Sequence, residues 1–307
     1  MHKFLHYIAD IYLNLRVNIK FFRDFVKRLL ASHKRQGRCN RSAILIYLFA
    51  STPLFSAFED INTSTRSSAL GGAGVSLSMG AESALTNPAT MLCSANRYDS
   101  YLFYAKPHNM AELHHGVVAV RFSNKKYALG GVVQHFGNSL YGENQFICAG
   151  ALRVVEGIAL GANIRYAALT IKGYGKAASM LLDVGAVAQL HPKALWGIAI
   201  KNANFAGIGK ANEPLPQIFS TGLCVKVSSD FLIAADLYKD TRHPVDGRAG
   251  FEYMPISVLS LRIGFGSAPA RISAGFLINI NWIHINYAFT SHMDLGATHL
   301  FSIRFIK

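Results

Sequence analysis

A glycine-rich stretch from Ser67 to Leu92, SSALGGAGVSLSMGAESALTNPATML, is the first candidate for chemistry in this sequence. Glycines among small residues are typical of phosphate-binding loops, and Gly-x-Ser-x-Gly is typical of a hydrolase nucleophile turn. A dinucleotide-binding Gly-x-Gly-x-x-Gly that starts at Gly72 needs glycine at position 77, where Leu77 stands, and no βαβ unit follows. GVSLS lacks the last glycine of the nucleophile turn. The stretch therefore predicts neither a nucleotide site nor a catalytic serine.

Other reactive residue types are present but are not spaced for catalysis or metal binding. The segment TIKGYGKAAS has Thr170 and Ala177 where a P-loop needs glycine and Ser or Thr. Of the twelve histidines only His114 and His115 are adjacent, and neighbours in a strand point to opposite faces. The four cysteines, none in a Cys-x-x-Cys unit, are Cys39, Cys93, Cys148 and Cys224. We predict no catalytic residue, no metal, no cofactor and no enzymatic activity.

Cationic side chains are the remaining candidates. Eight of them sit within otherwise apolar or small-residue segments: Arg121, Arg153, Arg165, Lys201, Lys226, Arg248, Arg262 and Arg304. If they converge, their guanidinium forks and ammonium groups could hold the head group of an amphipathic anion, such as a fatty acid or a lipopolysaccharide. The alternative is that they satisfy hydrogen bonds within the protein itself. Which applies depends on the elements that position them.

Those elements are predicted to be strands, because the sequence after Arg97 alternates with a period of two. In IALGANIRYAAL, Ile158, Leu160, Ala162, Ile164 and Tyr166 share one face, while Ala159, Gly161, Asn163 and Arg165 share the other. Fourteen such segments are predicted: 97–107, 116–123, 126–136, 145–154, 158–171, 180–190, 195–202, 218–227, 231–239, 247–254, 258–266, 272–279, 283–290 and 298–305. Most connections between them are short, with longer ones near 172–179 and 204–217, so neighbours should pair as antiparallel hairpins.

A soluble sandwich and a membrane barrel both contain many antiparallel strands, and the less apolar face distinguishes them. A sandwich shows a charged face to water. Here that face carries Gly, Ala, Ser and Asn with isolated charges, as a barrel interior does, whereas the bulky face suits lipid. Segments of about ten residues also match tilted membrane strands. We therefore predict an all-β fold, a transmembrane antiparallel β-barrel of about fourteen strands.

Strand parity then points the eight cations into the lumen, accompanied on the same face by the carboxylates Asp183, Asp236 and Glu252. The aromatic residues near strand ends, among them Tyr98, Tyr101 and Phe103, are interpreted as interfacial girdles. The lumen is predicted to be electropositive and to be the site of any anionic ligand.

The glycine-rich stretch precedes the first strand and is predicted to fold into the barrel as a hatch over 58–96, followed by the barrel proper over 97–307. In this hatch motif, Gly71, Gly72 and Gly74 permit close approach of the backbone. Asn87 and Pro88 can cap and open a short helix in PATML. A soluble loop and helix at the mouth of the barrel is the alternative.

Residues 1–57 are interpreted as an N-terminal extension plus a signal peptide that is removed. HKRQGRCNR is a basic segment, SAILIYLFASTPLF is apolar and of signal-peptide length, and Ser56-Ala57 offers small residues for cleavage. Because Phe55 occupies a position where a small residue is preferred, cuts between Ala50 and Phe58 stay open. This region holds ten Lys or Arg against two Asp and so carries +8 of the net +14, which argues against a nucleic-acid partner.

Two parts of the sequence resemble a known group of proteins. The stretch from Ser67 to Leu92 resembles the N-terminal motif of the FadL-like outer-membrane superfamily. The stretch INYAFTSHMDLGATHLFSIRF, 285–305, resembles the closing hairpin of the PorV/PorQ branch, although Asn286 stands where that branch often has Asp. The resemblance implies a fourteen-stranded barrel with a hatch in the outer membrane of a Gram-negative-type bacterium, in contact with outer-membrane lipid.

The resemblance leaves three functions open. A PorV/PorQ-type protein would take part in type IX protein secretion, with secretion-system proteins as partners. A FadL-like channel would transport long-chain fatty acids or other hydrophobic compounds. The third possibility is a structural barrel without transport.

Overall fold

A computed structural model describes residues 57–110, 112–292 and 296–307, and the extension and signal peptide predicted over 1–57 lie almost entirely outside this range. Helix α1 spans Thr65–Ala69, and 3-10 helices span Gly80–Leu85, Pro88–Cys93 and Pro107–Asn109. The strands are β1 (Tyr98–Lys106), β2 (His114–Ser123), β3 (Tyr127–Gly137), β4 (Tyr141–Val155), β5 (Ile158–Ile171), β6 (Gly175–His191), β7 (Ala194–Lys201), β8 (Gly207–Ile208), β9 (Glu213–Pro214), β10 (Ile218–Lys226), β11 (Phe231–Asp240), β12 (Asp246–Ile256), β13 (Leu259–Ser267), β14 (Ala270–Ile280), β15 (Ile283–His292) and β16 (Gly296–Ile306).

Fourteen of these strands form a closed antiparallel barrel, in which each strand pairs with its neighbour in sequence and β1 closes the sheet on β16. The strands β8 and β9 form a separate two-stranded sheet within the connection between β7 and β10. Closure leaves no barrel strand with an unpaired edge, which is the condition for strands to lie in hydrocarbon. The predicted fold class is confirmed.

The two faces of the sheet differ as the period of two requires. On β5, Leu160 and Ile164 are 51% and 55% exposed on the outer face, whereas Asn163 and Arg165 are 2% and 9% exposed on the inner face. The same alternation along the other strands covers the outside of the barrel with Leu, Ile, Val, Phe and Tyr. Such a face is stable against lipid and costly against water. No helix in the described part of the chain is long and apolar enough to span a membrane.

The ends of the barrel are distinguished by their connections. We call the end that holds Tyr98 and Lys307 the terminal end, and the opposite end the loop end. All turns at the terminal end are short, and the longest connection, 202–217, lies at the loop end. The sequence predicted a second long connection over 172–179, but β6 already begins at Gly175. The residues Gly175 to Ser179 contain no bulky apolar side chain, so their alternation does not reveal the strand.

Residues 58–96, which we call the hatch, run inside the barrel from the loop end to the terminal end. Its apolar side chains, including Leu70, Leu77, Met79 and Met91, are almost completely buried against the inner face of the wall. The inner wall contributes mostly alanine and glycine to this contact. Small residues on the wall therefore leave the space that the hatch fills.

Candidate functional site: the junction between hatch and wall

Helix α1 directs the glycines of the hatch against the wall. The Ser64 side chain accepts a hydrogen bond from the backbone N–H of Ser67 and so caps the first turn. The helix ends at Ala69, and Gly71 and Gly72 follow with φ of 72° and 95°. These left-handed values favour glycine, because a side chain there would crowd the backbone. The helix thus stops at the point where the chain must turn along the inner wall.

At this turn the hatch backbone contacts the wall backbone directly. A Cβ atom at Gly71 would lie 2.3 Å from the carbonyl oxygen of Phe265, and one at Gly264 would lie 2.0 Å from the backbone nitrogen of Gly71. A Cβ at Gly250 would lie 2.6 Å from the Cα of Leu70. Glycine is therefore required on the hatch and on β12 and β13 alike, and the sequence predicted only the hatch members of this contact.

A buried carboxylate holds the next part of the turn. Asp236 Oδ2 accepts hydrogen bonds from the backbone N–H groups of Gly74 at 2.6 Å and Val75 at 2.9 Å. Opposite Asp236 on β10, Gly222 leaves room for this side chain, since a Cβ there would meet Asp236 Oδ1. Hydrogen bonds to an ionised acceptor are about twice as strong as neutral ones. Asp236, predicted from strand parity to face inward, therefore anchors the hatch.

Two arginines bind the carbonyl groups of the same turn. Arg248 Nη1 donates to the carbonyl of Gly72 at 3.3 Å, and Arg271 Nη2 donates to the carbonyl of Gly71 at 2.9 Å. Asp246 Oδ2 accepts from both guanidinium groups, at 2.7 Å each. The shared carboxylate offsets part of the charge of the two arginines and orients them toward the hatch. We call Asp236, Arg248, Arg271 and Asp246 the latch.

The outer face of the wall behind the latch is indented. A groove of about 630 Å³ faces outward between β7 and β13. Large side chains, including Trp196, Leu223 and Phe265, lie at the groove together with the small residues Thr221, Ala235, Gly247 and Ala249. On the inner side, a cavity of about 40 Å³ lies between the hatch and the wall. Asp236 and Arg248, whose side chains point inward to the hatch, lie on the stretch of wall that has the cavity on one side and the groove on the other. Only the latch and one sheet separate the groove from the cavity.

The Asn-Pro motif makes a second contact with the wall. Asn87 caps the 3-10 helix Pro88–Cys93, because its Oδ1 accepts from the N–H of Ala89 at 3.1 Å. Its Nδ2 donates to the carbonyl of Val75 at 2.8 Å and to that of Ala186 on β6 at 3.0 Å. One side chain thus joins the helix, the latched turn and the barrel wall.

Seven of the eight predicted lumen cations contact the hatch or a carboxylate. Four arginines and one lysine form ion pairs: Arg165 with Asp183, Lys201 with Asp60, Arg248 with Asp246, Arg262 with Glu252 and Arg304 with Asp99. Two others donate to hatch carbonyls: Arg121 to Met91 and Asn96, and Arg153 to Leu92. Lys226 is exposed near the terminal end, and no ion pair is found for it among the described residues. The predicted binding of an anionic ligand by these residues stays a prediction.

Several partners of these cations were missed from the sequence. Asp60 and Arg66 belong to the hatch, and their pairing with Lys201 and Glu252 joins positions more than a hundred residues apart. Asp99 and Asp246 lie at or beside the ends of predicted strands, where parity could have shown them to face inward. Tyr101, interpreted as a girdle residue, is instead fully buried and donates its hydroxyl hydrogen bond to the carbonyl of Thr63. It supports the hatch.

The described residues contain no group of three or more His, Cys, Asp or Glu side chains placed to hold a metal ion. The free cysteines Cys93, Cys148 and Cys224 lie in the hatch, on the outer face and on the inner face respectively. The arrangement can hold a hatch, divide a lumen and present a groove to lipid.

Solved structures with a similar fold include a hydrocarbon channel, a toluene transporter and a FadL homologue. The CymD monoaromatic hydrocarbon channel aligns with a TM-score of 0.61 at 13% identity over 82% of this chain and 98% of its own. The Ralstonia pickettii toluene transporter TbuX aligns with a TM-score of 0.62 at 12% identity over 81% and 100%. A Pseudomonas aeruginosa FadL homologue aligns with a TM-score of 0.52 at 11% identity over 80% and 98%. At these identities the similarity shows a shared fold.

No protein-family model and no curated protein matches the sequence. The similar structures agree with the FadL-like part of the resemblance, and the PorV/PorQ part is not confirmed by them. Of the three, CymD is described as a hydrocarbon channel and TbuX as a toluene transporter. A closed barrel of this fold with an apolar outer face is an outer-membrane protein of a Gram-negative-type bacterium.

Proposed function

We propose that this protein is an outer-membrane channel for hydrophobic compounds, closed by its hatch and gated at the latch. The observation that carries this proposal is that the groove lies on the outside of the same stretch of wall whose inward residues, Asp236 and Arg248, hold the hatch. A small apolar molecule that displaced the latched turn would find an apolar exit to lipid instead of an aqueous one. The hydrocarbon channels that share the fold support the same substrate class.

The lumen cations support a neutral substrate in preference to an anionic one. Most of them are paired within the protein, and a ligand head group would have to replace carboxylates or hatch carbonyls that already satisfy them. Breaking a buried ion pair to bind another anion gains little, because one desolvated contact replaces another. Among hydrophobic substrates, an amphipathic anion such as a fatty acid is therefore less favoured than a neutral compound.

The test is uptake into proteoliposomes, with toluene as the apolar probe, oleate as the anionic amphiphile and glucose as the polar control. We expect toluene entry, weaker oleate entry and no glucose entry. Ala235→Trp, which fills the outer groove, should slow toluene entry several-fold. The matched control is Ala162→Trp, which adds the same side chain to the outer face of β5 and should leave entry unchanged.

A PorV/PorQ-type role in type IX secretion rests on the closing hairpin, whose residues 293–295 lie outside the described range. No contact of the described residues favours it. Absence of toluene and oleate entry, combined with periplasmic retention of proteins bearing C-terminal sorting domains in a deletion strain, would replace the channel proposal with this one. Absence of both effects would leave a structural barrel.

A further inference from the structure

The beginning of the hatch is buried at the loop end of the barrel. Phe58 is 7% exposed, and its side chain lies in an apolar cluster beneath the long connection between β7 and β10. The other buried members of this cluster are Ala167, Leu169, Leu181, Ile208 and Leu215. Ala57 packs at its edge.

The backbone nitrogen of Phe58 contacts a buried carboxylate. It donates to Glu143 Oε1 at 2.9 Å, and the Tyr141 hydroxyl donates to the same oxygen. Glu143 is 6% exposed, and none of the ion pairs found among the described residues includes it. A desolvated carboxylate without a cation is costly. Glu143 thus lacks a positive charge at the place where a peptide nitrogen points to it.

The backbone conformation of Phe58 is a second, independent observation at this position. Its φ is +61°, in the left-handed region, which is a genuine outlier for a bulky residue. The cost arises from contact between the side chain and neighbouring backbone carbonyls, of which one belongs to the preceding residue. If Phe58 were the first residue of the chain, its φ would no longer be constrained by a preceding carbonyl.

We propose that hydrolysis of the Ala57–Phe58 peptide bond by a signal peptidase creates the mature N-terminus, and that the new α-ammonium of Phe58 forms a buried ion pair with Glu143. Water adds to the carbonyl carbon of Ala57 and the C–N bond breaks. Ala57 leaves with a carboxylate, and the Phe58 nitrogen becomes an amine that takes up a proton. The amide N–H that now donates one hydrogen bond is replaced by a cation with three donors.

The ion pair would also hold the loop end of the barrel together. Phe58 shares its apolar cluster with Ile208 and Leu215, which belong to the long connection, and Glu143 lies at the start of β4. An N-terminus fixed to Glu143 would therefore hold the hatch and the connection to the wall together. Processing would complete the cover of the barrel, independently of what the barrel transports.

The first test is the intact mass and N-terminal sequence of the exported protein purified from outer membranes. The proposal requires Phe58 as the first residue. A first residue at Ala57, or at any earlier position, overturns it.

The second test is labelling of the α-amine with an amine-reactive ester at neutral pH. The native N-terminus should react about tenfold more slowly than that of Glu143→Gln, a factor that corresponds to about 1.4 kcal/mol. Glu143→Asp, which keeps the charge, should retain part of the protection. Glu156→Gln changes an exposed turn at the terminal end and serves as the matched control.

Heat-modifiable migration on a gel establishes that each variant is folded before labelling. Equal labelling of the native protein and folded Glu143→Gln would overturn the ion pair. If Glu143→Gln does not fold, the comparison between the native protein and Glu143→Asp decides in its place, and a freely reactive native N-terminus would overturn the proposal.

Discussion

At the scale of single residues, the hatch–wall contact depends on glycines that have no apparent role within their own strands. Gly264 lies in the middle of β13, where a larger residue would ordinarily favour a strand. Its missing side chain lets the hatch backbone approach, because a Cβ would lie 2.0 Å from the nitrogen of Gly71. A methyl group at this position must displace the hatch or the strand.

We therefore expect Gly264→Ala to destabilise the hatch against the wall by about 1–3 kcal/mol, the usual cost of overpacking. The measurement is thermal unfolding in detergent, followed by gel migration. Gly116→Ala is the matched control, since a Cβ there meets nothing nearer than the carbonyl oxygen of Phe103 at 4.0 Å. Equal melting temperatures of the two variants would contradict the tight contact.

Glu82 in the hatch provides a prediction that depends on pH. Its side chain is 3% exposed, and Oε2 has no hydrogen-bond partner among the described residues. Burial raises the pKa of Glu82 above its ordinary 4.5, although the nearby Arg304 acts in the opposite direction. The folded protein therefore favours the protonated carboxyl, and stability is lost as pH rises above 4.5 through the raised pKa.

Glu82→Gln removes this loss, so its melting temperature should exceed that of the native protein at pH 8 and match it near pH 4. For a domain of this size, each kcal/mol of unfolding free energy shifts the melting temperature by about 2–4 °C. Glu112→Gln, in an exposed loop, should follow the native protein at both pH values. If Glu82→Gln is less stable than the native protein at pH 8, neighbouring groups stabilise the ionised Glu82 carboxylate and the prediction is wrong.

Strand parity identified the inward cations but not their partners. Parity placed Arg165, Arg262 and Arg304 on the inner face because a strand has only two faces. It could not show that Asp60 and Arg66 of the hatch pair with residues of the wall. That pairing depends on how the hatch, which has no regular alternation, folds inside the barrel. Sequence therefore predicted where the charges point and could not predict what neutralises them.

At the scale of elements, the strands were predictable because each one alternates between lipid and hatch. Predicted and observed bounds agree within two residues for most strands, including 158–171 for β5. They differ where alternation weakens, as at the start of β6, whose first residues are small or charged. The hatch has no such periodicity, and its glycines and Asn87 indicated close contacts without indicating which strands would receive them.

The latch is the element-scale feature that the channel proposal depends on. Asp236→Ala removes the acceptor of the Gly74 and Val75 N–H groups and leaves them buried without a partner. An unsatisfied buried donor costs about 1–3 kcal/mol. This cost favours displacement of the hatch, and each 1.4 kcal/mol raises the displaced fraction about tenfold.

We expect Asp236→Ala to increase the frequency of ion-conducting openings in planar bilayers by at least about tenfold. Asp230→Ala removes a half-exposed carboxylate, hydrogen-bonded to the neighbouring serine side chains, from a turn at the terminal end and should behave like the native protein. Unchanged conductance in Asp236→Ala, in a preparation shown to be folded, would mean that the latch does not limit opening.

At the scale of the whole molecule, the medium around the barrel decides whether its apolar outer face is stable. The same alternating strands could be stable in water only if their apolar faces met each other. Here they form one closed sheet, with the hatch on the inside and side chains such as Ile164 directed outward. The outer face must therefore meet hydrocarbon.

This arrangement predicts that the cost of an outward charge depends on depth. Ile164 lies in the middle of β5, whereas Leu190 lies near the terminal end of β6 and is 63% exposed. An arginine costs about 2–4 kcal/mol at the bilayer midplane and about 0–1 near the interfaces. Ile164→Arg should therefore lower the folded fraction in lipid vesicles across a urea titration, and Leu190→Arg should change it little. Equal effects of the two substitutions would show that no hydrocarbon layer surrounds the barrel.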